Sequence, residues 1–127
     1  MQCVARKKSR YLTDAELRLM EVLWDRGAST VSEVVGSLRE DLAYSTVLTT
    51  LRILENKGYV RHTKEGRAFL YRPVVGREQA RGRALAHLLR RFFENTPELL
   101  MLKLMEKENI GVEELNRLRK RIEEKEP

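Results

Sequence analysis

The sequence predicts a mainly α-helical chain with one small β-hairpin, and three observations support this fold class. Apolar residues recur at helical spacing over most of the 127 residues. Capping residues, glycines and prolines divide this pattern into six helical segments. Between the third and fourth segments, two short runs of β-favouring side chains flank a polar turn that contains glycine, which is typical of a hairpin.

The first two helices are each predicted from a capping box. Thr13 is placed to cap the free amide of Glu16, and Gly27 is placed to end the helix that starts there. Thr30 and Glu33 repeat the same pattern at the start of a second, shorter helix. These signals predict two helices joined by a short connection.

The third helix is predicted to run from about Tyr44 to Asn56. Val47, Leu51 and Leu54 lie at helical spacing and form its inward face. The opposite face, with its N-terminal end, is polar and holds most of the residues that we predict to contact a partner. These residues are Tyr44, Ser45, Thr46, Thr49 and Arg52.

The hairpin is predicted from the runs 59–63 and 68–73. Lys64 and Arg67 lie at its tip, and Arg61 and His62 lie on its stem. We interpret His62 as a strand-surface residue. Together, three helices and a following hairpin predict a winged helix-turn-helix over residues 11–75.

Three more helices are predicted after the hairpin, over residues 76–95, 98–107 and 112–124. The middle one is apolar nearly all round, which requires cover on every side. We therefore predict that residues 76–127 form a dimerisation region; a compact monomeric bundle folded back on the N-terminal part is the alternative. The residues assigned to the interface are Leu88, Leu89, Phe92, Phe93, Leu100, Leu104, Met105, Leu115, Leu118 and Ile122.

The composition excludes several classes of function. No apolar run approaches the roughly 18 residues of a membrane span, and no signal peptide is visible, so we expect a soluble cytoplasmic protein. One cysteine and two histidines are too few for a disulfide or a zinc-type cluster. No nucleophile–base pair or paired carboxylate is suggested by the spacing. We therefore predict a binding protein without enzyme activity, metal or cofactor.

The charge is segregated along the chain, whose net charge is +6 and pI about 9.7. Residues 1–10, 42–75 and 76–91 each carry +4, whereas residues 11–41 carry −4 and residues 92–127 carry −2. This pattern is expected when one surface meets a polyanion. A basic pI that only keeps the protein in solution is the alternative.

The predicted fold and the charge together favour double-stranded DNA as the partner. The major groove of B-DNA admits an α-helix, so the polar face of the third helix is placed to contact bases, with Arg52 as the best candidate for bidentate contact to guanine. Arg61, Lys64 and Arg67, with Arg77 or Arg81, are predicted to contact phosphates. A homodimer would present two such helices to an inverted repeat.

Several alternatives stay open at this point. The same fold also serves as a protein–protein interaction module without specific DNA binding. Arg52 could instead form a surface salt bridge with Glu55 or Glu40. The basic tail, residues 1–10, is either an arm that touches DNA or a solvated tail.

Ordered motifs in the sequence resemble the penicillinase repressor family (the BlaI/MecI type). They are Leu12-Thr13-Asp14-Ala15-Glu16, residues 20–24, Tyr44-Ser45-Thr46-Val47-Leu48-Thr49-Thr50-Leu51, Leu54-Glu55-Asn56-Lys57-Gly58 and Gly66-Arg67-Ala68-Phe69-Leu70-Tyr71-Arg72-Pro73. Each motif is weak alone, but the ordered set is specific. The resemblance covers about residues 12–73 strongly and the C-terminal helices more loosely.

The resemblance implies a homodimeric repressor that binds an operator and blocks transcription. It also implies that the winged helix contacts TACA/TGTA-type inverted repeats and that the C-terminal helices dimerise, as in similar members of this family. For antibiotic-responsive members it also implies a membrane sensor with a metalloprotease domain, which triggers repressor cleavage at an Asn-Phe bond. That bond would fall near Lys103-Leu104, and this chain has no Asn-Phe there.

Overall fold

A computed structural model describes residues 11–125, and over these residues the chain is mainly helical with a small antiparallel sheet, as predicted. The predicted tail, residues 1–10, lies outside the described residues. In chain order the elements are α1 (Asp14–Arg26), β1 (Ser29–Thr30), α2 (Val31–Ser37), α3 (Tyr44–Asn56), β2 (Val60–Glu65), β3 (Ala68–Pro73), α4 (Arg77–Phe92), α5 (Pro97–Lys107) and α6 (Val112–Lys125).

Both predicted capping boxes are present. The amide of Glu16 donates to Thr13 Oγ1 at 3.2 Å, and the amide of Thr13 donates to Glu16 Oε1 at 3.0 Å. Thr30 and Glu33 make the same pair of bonds, at 3.2 and 2.8 Å. The bond from the Thr30 backbone holds the pKa of the Glu33 carboxyl below its ordinary value, since it favours the charged form.

The sheet has the strand order β1-β3-β2, so the hairpin of β2 and β3 gains a third strand that the sequence analysis did not predict. β1 is only two residues long, and a strand of that length shows no alternation of apolar and polar residues. In the hairpin, Gly66 has a φ of 62° at the first position of the two-residue turn, which favours glycine.

The core lies between the first three helices and the sheet. Its largest fully buried side chains include Tyr59 and Tyr71 as well as the aliphatic stripes of the helices. The three predicted inward residues of α3 are all 0% exposed. Trp24 packs against this core and donates from Nε1 to the carbonyl of Val75 at 2.9 Å.

A buried ion pair joins the start of α1 to the end of α3. Lys57 Nζ lies 2.7 Å from Glu16 Oε1, and both side chains are largely shielded from solvent, with 12% and 7% exposure. Glu16 thus completes the capping box of α1 and neutralises Lys57 at the same time. Removing either partner would leave a charge without compensation in a poorly solvated place.

The chain divides into two compact units between Leu85 and Ala86, within α4. The first turns of α4 belong to the first unit because they pack on it: Ala80 is part of the core, and Arg77 lies over the ring of Trp24 at 5.3 Å. The separate roles predicted for residues 11–75 and 76–127 stay predictions. The boundary between the compact units, after Leu85, lies ten residues later than the predicted boundary after residue 75.

The second unit contains the end of α4 together with α5 and α6. As predicted, the chain breaks at Thr96-Pro97, and Pro97 is the first residue of α5. None of the side chains in residues 86–125 is buried. No helix among the described residues is long and apolar enough to cross a membrane.

Candidate nucleic-acid interface

The exposed side of α3 carries every residue of that helix predicted to contact DNA. Tyr44, Ser45, Thr46, Thr49 and Arg52 are all exposed, whereas Val47, Leu51 and Leu54 are buried on the other side. The helix therefore presents polar groups to solvent because its apolar residues anchor it to the core. The predicted residues of α3 share a single accessible surface.

The start of α3 lacks a side-chain cap. Ala43 occupies the N-cap position with a φ of −68° and a ψ of 150°, and it makes no side-chain hydrogen bond to the helix. The helix is held instead by the burial of its apolar face. Thr50 is not free to contact a partner in the same way as its neighbours, because its Oγ1 donates to the carbonyl of Thr46 at 2.8 Å.

The three cations predicted on the hairpin are all exposed. Arg61 and Lys64 lie on β2, and Arg67 lies in the turn beside Gly66. Successive side chains of a strand point to opposite faces, so Arg61 and Lys64 project from different faces of the hairpin. The hairpin is positively charged on both faces.

His62 connects the hairpin to α3, a role that the sequence analysis did not predict. Its Nδ1 lies 2.7 Å from Oε1 and 2.9 Å from Oε2 of Glu55. The imidazole also meets the ring of Phe69 edge-on at 5.2 Å and that of Tyr71 at 5.4 Å. The expected strand-surface position is right, but His62 also braces the hairpin against α3.

Arg52 lies beside Tyr71, at the junction of α3 and β3. Burial raises the pKa of the Tyr71 hydroxyl, the Glu55 carboxylate adds to this rise, and the charge and hydrogen bond of Arg52 oppose it. The salt bridges considered for Arg52 are not formed among the described residues. Glu40 pairs with Arg18 at 2.8 Å, and Glu55 pairs with His62.

Arg77 and Arg81, the further candidates for phosphate contact, are engaged within the first unit. Arg77 Nη2 lies 3.0 Å from Asp25 Oδ1, and Arg81 Nη1 lies 2.6 Å from Glu78 Oε1. Both pairs are on the surface, where ion pairs are weak and open easily. These two arginines nevertheless differ from the hairpin cations, because Arg61, Lys64 and Arg67 form no ion pair in residues 11–125.

The residues predicted for the dimer interface all lie in the second unit, on α4, α5 and α6 or directly after α4. Their exposure ranges from partial to high: Phe92 is 68% exposed and Ile122 is 53% exposed. The others are Leu88, Leu89, Phe93, Leu100, Leu104, Met105, Leu115 and Leu118, and none of them is buried. No group of metal-ligating side chains suited to an ion occurs in the described part of the chain.

Three N-terminal helices, an exposed polar face on the third and a cationic hairpin after it define a winged helix-turn-helix protein. The family model described as penicillinase repressor matches residues 12–124, and the chain belongs to this family. The resemblance drawn from the ordered motifs is confirmed.

Known relatives agree with this assignment. The penicillinase repressor of Bacillus licheniformis is 32% identical over 120 residues, which cover 93% of this chain and 94% of that protein. The transcriptional regulator BlaI of Mycobacterium tuberculosis is 42% identical over 71 residues, 54% of this chain and 51% of that protein. The solution structure of the DNA-binding domain of the repressor BlaI is similar with a TM-score of 0.51 and 34% identity, covering 58% of this chain and 93% of that domain.

Proposed function

We propose that this protein is a sequence-specific DNA-binding transcriptional repressor that acts as a homodimer on an inverted-repeat operator. The observation that carries the proposal is the exposed polar face of α3 beside a cationic hairpin, in a member of the penicillinase repressor family. The similar solved structure is that of a repressor's DNA-binding domain. This role requires no catalytic group, and it is exercised in the cytoplasm, where an operator is accessible.

We assign sequence recognition to α3 and backbone contact to the hairpin. Base edges in the major groove are accessible to a helix, and the guanidinium of Arg52 fits the O6 and N7 acceptors of guanine. The hydroxyls of Ser45, Thr46 and Thr49 suit phosphates or mixed base contacts, and Tyr44 lies at the N-terminal end of the same surface. Arg61, Lys64 and Arg67 are assigned to phosphates, which carry no sequence information.

The homodimer is proposed from the apolar side chains of the second unit. Burial of such side chains stabilises by about 1.5–3 kcal/mol each, yet none in residues 86–125 is buried. A second copy of the same chain would cover them symmetrically, and two-fold symmetry in the protein matches an inverted repeat in the operator. The monomeric bundle is the competing arrangement.

Salt dependence separates this function from the competing one, a winged-helix module that binds protein only. We would titrate the full chain into a fluorescent duplex and follow anisotropy at several salt concentrations. If three hairpin cations from each protomer contact phosphates, affinity should fall by about 10³-fold between 50 and 200 mM salt. A module that binds only protein would show no salt-dependent DNA binding, and this result would overturn the proposal.

A further inference from the structure

Two arginines lie directly opposite each other across the hairpin. The register of β2 and β3 pairs Arg61 with Arg72, and the next pair along the chain, His62 with Tyr71, lies on the face that contacts α3. Because faces alternate along a strand, Arg61 and Arg72 project from the other face. Both are exposed, and Arg72 was not among the residues that the sequence predicted for DNA contact.

This arrangement is unfavourable for the free protein. Like charges directly opposite in an antiparallel pair repel each other and destabilise it. Neither arginine has an acidic partner within the described range, whereas Arg18 and Arg77 each pair with a carboxylate. Arg72 Nη2 donates instead to an uncharged acceptor, Thr63 Oγ1, at 3.3 Å. Two exposed arginines thus lie opposite each other across the hairpin, and no ion pair among the described residues compensates their charges.

We propose that Arg61 and Arg72 form a two-arginine clamp for a DNA phosphate, which makes Arg72 a further DNA-binding residue. The inference rests on the proposed function and extends it to the second face of the hairpin. Guanidinium forks match phosphate oxygens in a bidentate manner. DNA is favoured over an acidic protein because the same hairpin carries Lys64 on its other face and Arg67 in its turn, and both are assigned to the DNA backbone. The clamp thus adds cations to an element already proposed to contact DNA.

The test is the substitution Arg72→Gln in the full chain, with binding measured to an operator duplex and to an unrelated duplex. A phosphate contact carries no sequence information, so affinity for both duplexes should fall several-fold by the same factor. The slope of log affinity against log salt should fall by about one for each arginine removed. Arg72→Lys, which keeps the charge, should keep the slope.

Stability of the free protein distinguishes a clamp from a structural role. Removing one of two opposed charges relieves repulsion, so the melting temperature of Arg72→Gln at low salt should rise. A residue that only supports the hairpin would show a lower melting temperature together with weaker binding, and this result would overturn the clamp. Arg119→Gln removes one exposed charge from α6 and should change neither the melting temperature nor DNA binding.

The failure of the clamp and the failure of the proposed function give different results. If the wild-type chain binds DNA in a salt-dependent manner and Arg72→Gln binds equally well, the clamp is wrong and the repressor proposal is unaffected. Such a result would direct attention to an acidic protein surface as the partner of this arginine pair. If the wild-type chain binds no duplex, the proposed function itself fails.

Discussion

At the level of single residues, Arg52 and Lys64 are both exposed, yet we propose different roles in DNA binding for them. Arg52 lies on the exposed side of α3, and its charge acts on the buried Tyr71 of β3. Lys64 lies on β2 with its side chain in solvent. The planar guanidinium of Arg52 suits bidentate contact to a base edge, whereas the ammonium of Lys64 is a point charge that suits a phosphate.

We expect Arg52→Ala to weaken binding to the operator by about 1–3 kcal/mol and to relax the preference at one base pair of each half-site. Lys64→Ala is the matched variant, and it should weaken binding to all sequences nearly equally. Anisotropy titrations with operator variants that differ at single base pairs measure both effects. Unchanged discrimination in Arg52→Ala would show that α3 contacts the bases through other side chains.

Two side-chain contacts could not be predicted from the sequence. Thr13 and Glu16 were predicted as a capping box because their spacing is local. The contact of Glu16 with Lys57 spans 41 positions of the chain, and that of His62 with Glu55 depends on how the hairpin folds back on α3. Neither contact leaves a periodic or capping signal, so only the three-dimensional fold brings these residues together.

At the level of elements, α3 lacks a side-chain cap at its N-terminus and is held in place by its buried apolar face. It carries several hydroxyl side chains, which lower helix propensity, and the methyl side chain of its N-cap residue Ala43 cannot accept a hydrogen bond from the first amides. Burial of its apolar face compensates. The helix was nevertheless predicted with the bounds observed, because the apolar spacing outweighs propensity in setting where a helix forms.

We expect Ala43→Ser to stabilise the protein by about 0.5–2 kcal/mol, because a serine hydroxyl can accept from an amide at the start of α3. Chemical denaturation of the free protein measures the change. Ala84→Ser, at an exposed position of α4, is the control. It has no free amide to cap there and should be slightly destabilising. Equal effects of the two substitutions would mean that the start of α3 gains nothing from a cap.

The sheet was predicted only in part from the sequence. The hairpin was predicted from its composition and its glycine turn, and it is present as β2 and β3. β1 was missed because two residues carry no pattern, and its pairing with β3 depends on the path of the chain after α1. Long-range pairing of short strands is decided by the fold rather than by the local sequence.

At the level of the whole molecule, the two units differ in how they bury apolar side chains. The core of buried residues lies entirely within the first unit, where helices and sheet enclose it. The second unit has helices with apolar stripes, but over its described residues, 86–125, no side chain is buried. The excess of apolar residues was predicted from the sequence. Its proposed cover, a second copy, involves contacts that a single chain does not contain.

We expect Leu104→Asp to convert the proposed dimer to monomers, because a carboxylate in an apolar interface loses its hydration without gaining a partner. Sedimentation velocity at several protein concentrations measures the change. Val74→Asp is the matched control, since Val74 is also 47% exposed but lies in the first unit, and this variant should stay dimeric. A dimer that survives Leu104→Asp would contradict the assigned interface.

The central claim is that a two-fold dimer recognises DNA through α3, and selection of bound duplexes from a randomised pool tests it most directly. The wild-type chain would be equilibrated with the pool at two salt concentrations, and the bound duplexes would be sequenced. We predict enrichment of an inverted repeat whose half-sites are centred about one helical turn, or about 10 base pairs, apart. A pool with no enriched sequence, and with binding lost as salt rises, would contradict the claim.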